Sequence, residues 1–191
     1  VKGAKNMKFE KISQEVVGEI GEAISLISEN EIEKLINEIE KADKVFFIGV
    51  GRVLLSLKSI AKRLAHLGIK TVIVGEITEP AITDKDLLIV GSGSGESAIP
   101  LIIAEKAKKY NARVAHIGSN PNSSMKKFTD LFVRIPVTTK LDTQDSIKSI
   151  QPMTSLFEQS LLILGDIIAL MMVRDKSIDI HNLWEYHANL E

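Results

Sequence analysis

"LLIVGSGSGESAI", Leu87–Ile99, is the stretch on which the reading of this chain turns. An apolar, partly β-branched run leads straight into glycines alternating with serines, then Glu96, Ser97 and a new apolar stretch. A short continuous apolar run closed by glycine reads as a strand covered on both faces, which is the pattern of a parallel sheet. A plain turn needs one or two such small residues. Gly91, Gly93 and Gly95 with Ser92, Ser94 and Ser97 exceed that need, and they read as backbone built for close approach of a ligand.

The same theme recurs in both directions along the chain. "KVFFIGVG" (Lys44–Gly51), "TVIVGE" (Thr71–Glu76), "ARVAHIGS" (Ala112–Ser119) and "DLFVRIP" (Asp130–Pro136) are short apolar runs bounded by Gly, Pro or Asp. Helical periodicity separates most of them. Ile12, Val16, Ile20, Ile24 and Ile27 form one apolar face, and Ile32, Leu35, Ile36 and Ile39 a second. Leu54, Leu57, Ile60, Ala61 and Leu64 form a third, closed by Gly68 as a helix-ending glycine. Ile99, Ile102, Ile103 and Ala107 form a fourth, and a long helix follows Pro152. The connection from Val74 to Leu87 carries no helical pattern. Alternation of this kind predicts an α/β, three-layer, doubly wound domain: about five parallel strands flanked by helices, preceded by N-terminal helices. Ligands of such sheets sit beyond the carboxyl ends of the strands, where the glycine clusters lie.

Composition narrows the classes. The chain has 191 residues, 45% hydrophobic and 26% charged, with a net charge of −1 and no cysteine. Those values suit one globular domain, assigned to residues 7–191, with "VKGAKN" (1–6) read as a disordered or cloning-derived tail. The polar start carries no visible signal peptide, and a cytoplasmic location is expected. The charge balance offers no field for nucleic acid. No membrane span is expected either, because "LLILGDIIALMMV" (Leu161–Val173) is interrupted by Gly165 and Asp166 and falls short of the roughly 20 residues a bilayer requires. It reads as a core or interface helix. Absence of cysteine removes disulfides, thiolate metal sites and thiol nucleophiles.

Two strand ends carry candidate chemistry. "GVGR" (Gly49–Arg52) and "GSGSGES" (Gly91–Ser97) each open a helix, so backbone amides at Gly51, Gly93 and Gly95 face a ligand. The hydroxyls of Ser92, Ser94 and Ser97 add donors, and Arg52 adds a fixed positive charge. A phosphate is the natural guest, with capped tight turns as the plainer alternative. Neither cluster continues as Gly-Lys-Ser/Thr or as G-x-G-x-x-G, which argues against nucleoside triphosphates and dinucleotides. His66, His116, His181 and His187 show no metal-ligand spacing, so no metal site is expected. His66 reads equally as a cation at a helix C-terminus, and His116 as a structural residue. Glu158 lies among apolar neighbours early in the long helix; it is either a candidate base or a first-turn acid favoured by the helix dipole.

Taken together, "GVGR", "RLAHLG", "GSGSGES", "NPNSS", "TTK", "QPMTSLFEQ" and the terminal "HANLE" resemble the 6-phospho-3-hexuloisomerases of the sugar isomerase (SIS) domain family. The similarity runs from about Val45 to Glu191, and "SLFEQ" with "HANLE" is its most specific part. The resemblance implies a five-stranded parallel sheet, self-association as a homotetramer or dimer, and no metal or organic cofactor. It also implies interconversion of D-arabino-hex-3-ulose 6-phosphate and fructose 6-phosphate in the ribulose monophosphate pathway of formaldehyde fixation. On that basis Glu158 is expected to be the base, with His187 moving protons between oxygens or helping to open the furanose. His66 is a third catalytic candidate if it reaches a neighbouring subunit's site. Gly51, Arg52, Ser92, Gly93, Ser94, Gly95 and Ser97 are expected to bind substrate phosphate.

The chain departs from that pattern at three places. Val53 stands where the family usually has Ser, Tyr186 where it usually has Arg before "HANLE", and Ser97 where it usually has Thr. The Val53 change bears on substrate identity, so two other functions remain open: an SIS-type isomerase of a pentose or heptose phosphate, and a non-catalytic sugar-phosphate sensor.

Overall fold

A computed structural model describes residues 2–140 and 145–190, with backbone alone for 2–7 and for His181 and Asn182. The strands are β1 (Val45–Ile48), β2 (Thr71–Ile73), β3 (Leu87–Gly91), β4 (Arg113–Gly118) and β5 (Leu131–Arg134). All neighbours pair in parallel, in the order β2-β1-β3-β4-β5. Register places Ile48 beside Val90 and Gly91 beside Ile117. β1, β3 and most of β4 are buried on both faces, as their unbroken apolar runs require.

The helices are α1 (Lys2–Ser25), α2 (Glu29–Lys41), α3 (Gly51–Ala65), α4 (Ala98–Lys109) and α5 (Ser155–Asp175). One core packs α2, α3 and α5, with the end of α1, against one face of the sheet. A second, smaller core packs α4 and a 3-10 turn, Ser124–Phe128, against the other. The expected three-layer α/β architecture is therefore what the chain adopts. α5 is long and apolar enough to cross a membrane, yet 61% of that span is buried inside the fold, as a core helix should be. Residues 2–6, expected to be a tail outside the domain, lie within the bounds of α1.

One helix face differs from the periodic reading. In α4 the buried residues are Pro100, Ala104 and Ala107, whereas Ile99 and Ile102 are 60% and 52% exposed. The small side chains let α4 sit close to the sheet; Ile99 and Ile102 then point away from it, while Ile103 packs on the smaller core. The connection from β2 to β3 has no helix, as its sequence predicts.

α3 and α5 run side by side in the same direction. Arg52 meets Glu158, Ile60 packs on Gly165, and Arg63 lies 3.5 Å from Asp166. A side chain at 165 would collide with Ile60, so glycine sets how closely the two helices approach.

Candidate active site

The strand order reverses at β1, with β3 as its next neighbour, so the loops leaving these two strands diverge to opposite faces. Both glycine clusters leave the sheet there. Gly51 has φ +57° and Gly95 has φ +68°, so each occupies a left-handed turn that favours glycine. At Gly93 a Cβ would meet Thr139 Cγ2 at 2.7 Å, so that glycine lets two loops touch.

A cavity of about 310 Å³ opens between these loops and the start of α5. Arg52, Ser92, Gly93, Ser94, Ser97 and Glu158 all line it, as does Gly51; Gly95 is buried behind the loop. Two helix N-termini converge on this space. Neither Val50 of α3 nor Ser97 of α4 makes a side-chain capping bond, whereas α2, remote from the cavity, is capped by Ser28. Uncapped amides at a helix start favour an anion.

Internal bonds keep the loop in shape. Ser92 Oγ accepts from the Gly95 amide at 3.1 Å and Ser94 Oγ from the Glu96 amide at 3.3 Å. The Gly93 carbonyl accepts from the amides of Ser119 and Asn120, at 2.9 and 3.2 Å. Glu96 faces away and accepts from the Ser124 amide at 2.7 Å, a bond that holds its carboxyl below the usual carboxylate range. Behind the loop lies His116, buried, with Nε2 2.9 Å from the Ser92 carbonyl. Burial pushes its pKa down to about 4, so at neutral pH the ring is neutral and Nε2 carries the donated proton.

Glu158 is 7% exposed, and both carboxylate oxygens are engaged. Oε1 accepts from the Thr154 hydroxyl at 2.8 Å, and Oε2 accepts from Arg52 Nε. Its own carbonyl accepts from Ser56 Oγ at 2.9 Å, tying this turn of α5 to α3. Cation, carboxylate and phosphate-type loop thus share one small volume. This arrangement can hold a phosphorylated chain at one end and exchange a proton at the other.

His66 and His187 are not brought to this cavity within one chain. They stack on each other, with ring centroids 5.3 Å apart, at the far end of α3. His66 lies fourteen residue steps beyond Arg52 along α3, about 21 Å of axial rise. Trp184, in the same C-terminal turn, packs on His187 at 5.1 Å, and the Tyr186 ring lies beside Gly68, so the segment is seated at the end of α3. Lys58, Lys62, Arg63 and Asp166 line the hollow beside His66, with Arg63 paired to Asp166 and Lys58 to Glu76. His181 lies outside the residues whose side chains are described. Among the described residues no group of acids and histidines could hold a metal ion.

Sequence reasoning passed over Thr139, Lys140, Met153, Thr154 and Phe157, all of which line the cavity. "TTK" and the Thr154-x-x-x-Glu158 spacing, one helical turn, were the available signals.

Comparison with known proteins gives a consistent picture. The SIS domain family model matches residues 38–163. A Bacillus subtilis 3-hexulose-6-phosphate isomerase is 40% identical, over 97% of this chain and all of its own length. The Mycobacterium gastri 3-hexulose-6-phosphate isomerase is 35% identical, over 91% of this chain and 86% of its own. A crystal structure from Methanococcus jannaschii, described as inferring a 3-hexulose-6-phosphate isomerase function, superposes with a TM-score of 0.82. It is 31% identical and covers 95% of this chain and 99% of its own.

Proposed function

The chain belongs to the SIS domain family, and from that premise we propose that it is a 3-hexulose-6-phosphate isomerase, interconverting D-arabino-hex-3-ulose 6-phosphate and fructose 6-phosphate. The observation that carries the reading is the convergence of the Ser92–Ser97 loop, Arg52 and Glu158 on one cavity. Phosphate sits against the loop amides, the hydroxyls of Ser92, Ser94 and Ser97, and Arg52. Binding energy from this remote group holds the reacting carbons at the carboxylate.

From the 3-hexulose side, Glu158 takes the proton on C2, and the C–H electrons form the C2–C3 double bond. The C3 oxygen gains a proton, giving a cis-enediol. The C2 hydroxyl then loses its proton, the carbonyl forms at C2, and C3 receives a proton. One base and one group shuttling protons between oxygens suffice. His187, stacked on His66, takes the second role at the site of a neighbouring subunit. A homo-oligomer, dimer or tetramer, is therefore part of the proposal, as are a cytoplasmic location and a place in formaldehyde fixation through the ribulose monophosphate pathway. Neither nucleic acid nor membrane is a partner in this reading.

Purified protein incubated with fructose 6-phosphate in deuterated water should incorporate deuterium at C3 and accumulate the 3-hexulose. Turnover of arabinose 5-phosphate in its place, or binding without turnover, would overturn the assignment. A monomer by light scattering would overturn the shared-site role of His187.

A further inference from the structure

The guanidinium assigned to phosphate is also the partner of the carboxylate assigned to proton transfer. The two partners differ in freedom. Glu158's side chain is 9% exposed and its backbone is tied at both ends: its amide donates to the Thr154 carbonyl at 3.1 Å, and its carbonyl accepts from Ser56. Arg52's side chain is 65% exposed and stands on the first turn of α3, facing the same cavity as Ser92–Ser97. If either group moves, it is Arg52. Rotation of one side chain carries it from Glu158 toward the phosphate loop.

We propose that Arg52 is a specificity-determining residue: its guanidinium is shared between Glu158 and an incoming phosphate, so that proton abstraction requires a phosphorylated sugar. The inference rests on Glu158 being the base. Of the residues lining the cavity, Arg52, Lys140 and Glu158 carry charge. A phosphate dianion arriving at the loop presents two negative charges and a geometry that guanidinium binds in a bidentate fashion, so it outcompetes the single carboxylate. Drawing Arg52 away leaves Oε2 open to a carbon-bound proton, while Thr154 still holds Oε1. A sugar without phosphate lacks the means to displace the guanidinium, so it is disfavoured in the chemical step as well as in binding.

The test follows deuterium exchange at C3 of unphosphorylated D-fructose and of fructose 6-phosphate, in wild type and Arg52→Gln. The variant should exchange D-fructose about threefold faster, the worth of a partly exposed ion pair. It should exchange fructose 6-phosphate about a hundredfold slower, since the phosphate has lost its clamp. Free phosphite dianion should accelerate D-fructose exchange by wild type and leave the variant unchanged. An independent readout is the Arg52 Nε resonance in nitrogen-15 NMR, which inorganic phosphate should move to the position seen in phosphate-saturated Glu158→Gln. Equal slowing of both sugars in Arg52→Gln, or an Arg52 resonance unmoved at saturating phosphate, overturns the proposal. Absence of fructose 6-phosphate turnover by wild type, with the resonance still moving, overturns the isomerase assignment instead.

Discussion

Glu158→Gln removes the proton acceptor while disturbing little else. Glutamine keeps the shape of the side chain, and its carbonyl oxygen can still accept from Thr154 Oγ1, now 2.8 Å from Oε1. What changes is the edge facing Arg52, where an amide now meets a guanidinium, donor against donor. Arg52 turns outward at small cost because its side chain is 65% exposed. The stability loss is therefore held to about 1 kcal/mol, the upper end for a solvent-screened pair. In a chain of this size that lowers Tm by about 2–4 °C. A general base contributes roughly 10²–10⁴ in rate, equivalent to about 3–5 kcal/mol of barrier. The expected result is a fall in kcat of that size with KM for fructose 6-phosphate little changed, read from deuterium entry at C3 by proton NMR. A variant that melts with the wild type and keeps kcat within about tenfold of it would remove Glu158 from the mechanism.

Two further outcomes follow from the neighbours of this site. His116 titrates at about 4 when folded and near its ordinary 6.5 when unfolded. Stability is whole above pH 6.5 and falls as pH drops toward 4, by up to about 3 kcal/mol, because the unfolded chain binds the proton first. Urea midpoints should show that fall in wild type and a smaller one in His116→Gln; equal pH slopes would refute it. Gly93→Ala places a Cβ 2.7 Å from Thr139 Cγ2 and 3.4 Å from Phe157, which pushes the loop into the cavity. KM for fructose 6-phosphate should rise by about tenfold or more, and an unchanged KM would show that the loop does not position phosphate.

Local pattern carried the sheet a long way. The ends of β1 and β3 were legible because paired glycines at β1 and glycines alternating with serines at β3 exceed what a turn needs, and the strand order then brought those ends together. The α4 face was misread for a physical reason. Periodicity locates an apolar stripe but does not weigh size: Ala107 is buried and Ile103 packs on the smaller core as expected, while close contact with the sheet selects Ala104 over Ile99 and Ile102. Arg52 and Glu158 lie 106 residues apart, so their bond is written in the packing of α3 on α5 and in no local motif. Thr139 and Lys140 follow β5 in a loop without period, which hides them from any test of amphipathicity. The pairing of His66 with His187 escaped for the same reason as the ion pair: it is a contact between distant segments.

The parallel pairing of α3 with α5 has a mechanical consequence. Arg52, Ile60 and Arg63 on one helix meet Glu158, Gly165 and Asp166 on the other, so the two rods behave as a single beam bolted at three stations. Displacement of that beam over the sheet carries the backbones of residues 52 and 158 together, so only rotation of the exposed Arg52 side chain alters the spacing of cation and carboxylate. What varies is the gap between the beam and the Ser92–Ser97 rim. The gauge that measures a sugar's length from its phosphate is therefore the seating of two helices, and residue 165, about 10 Å down the axis from the carboxylate, is where that gauge is set.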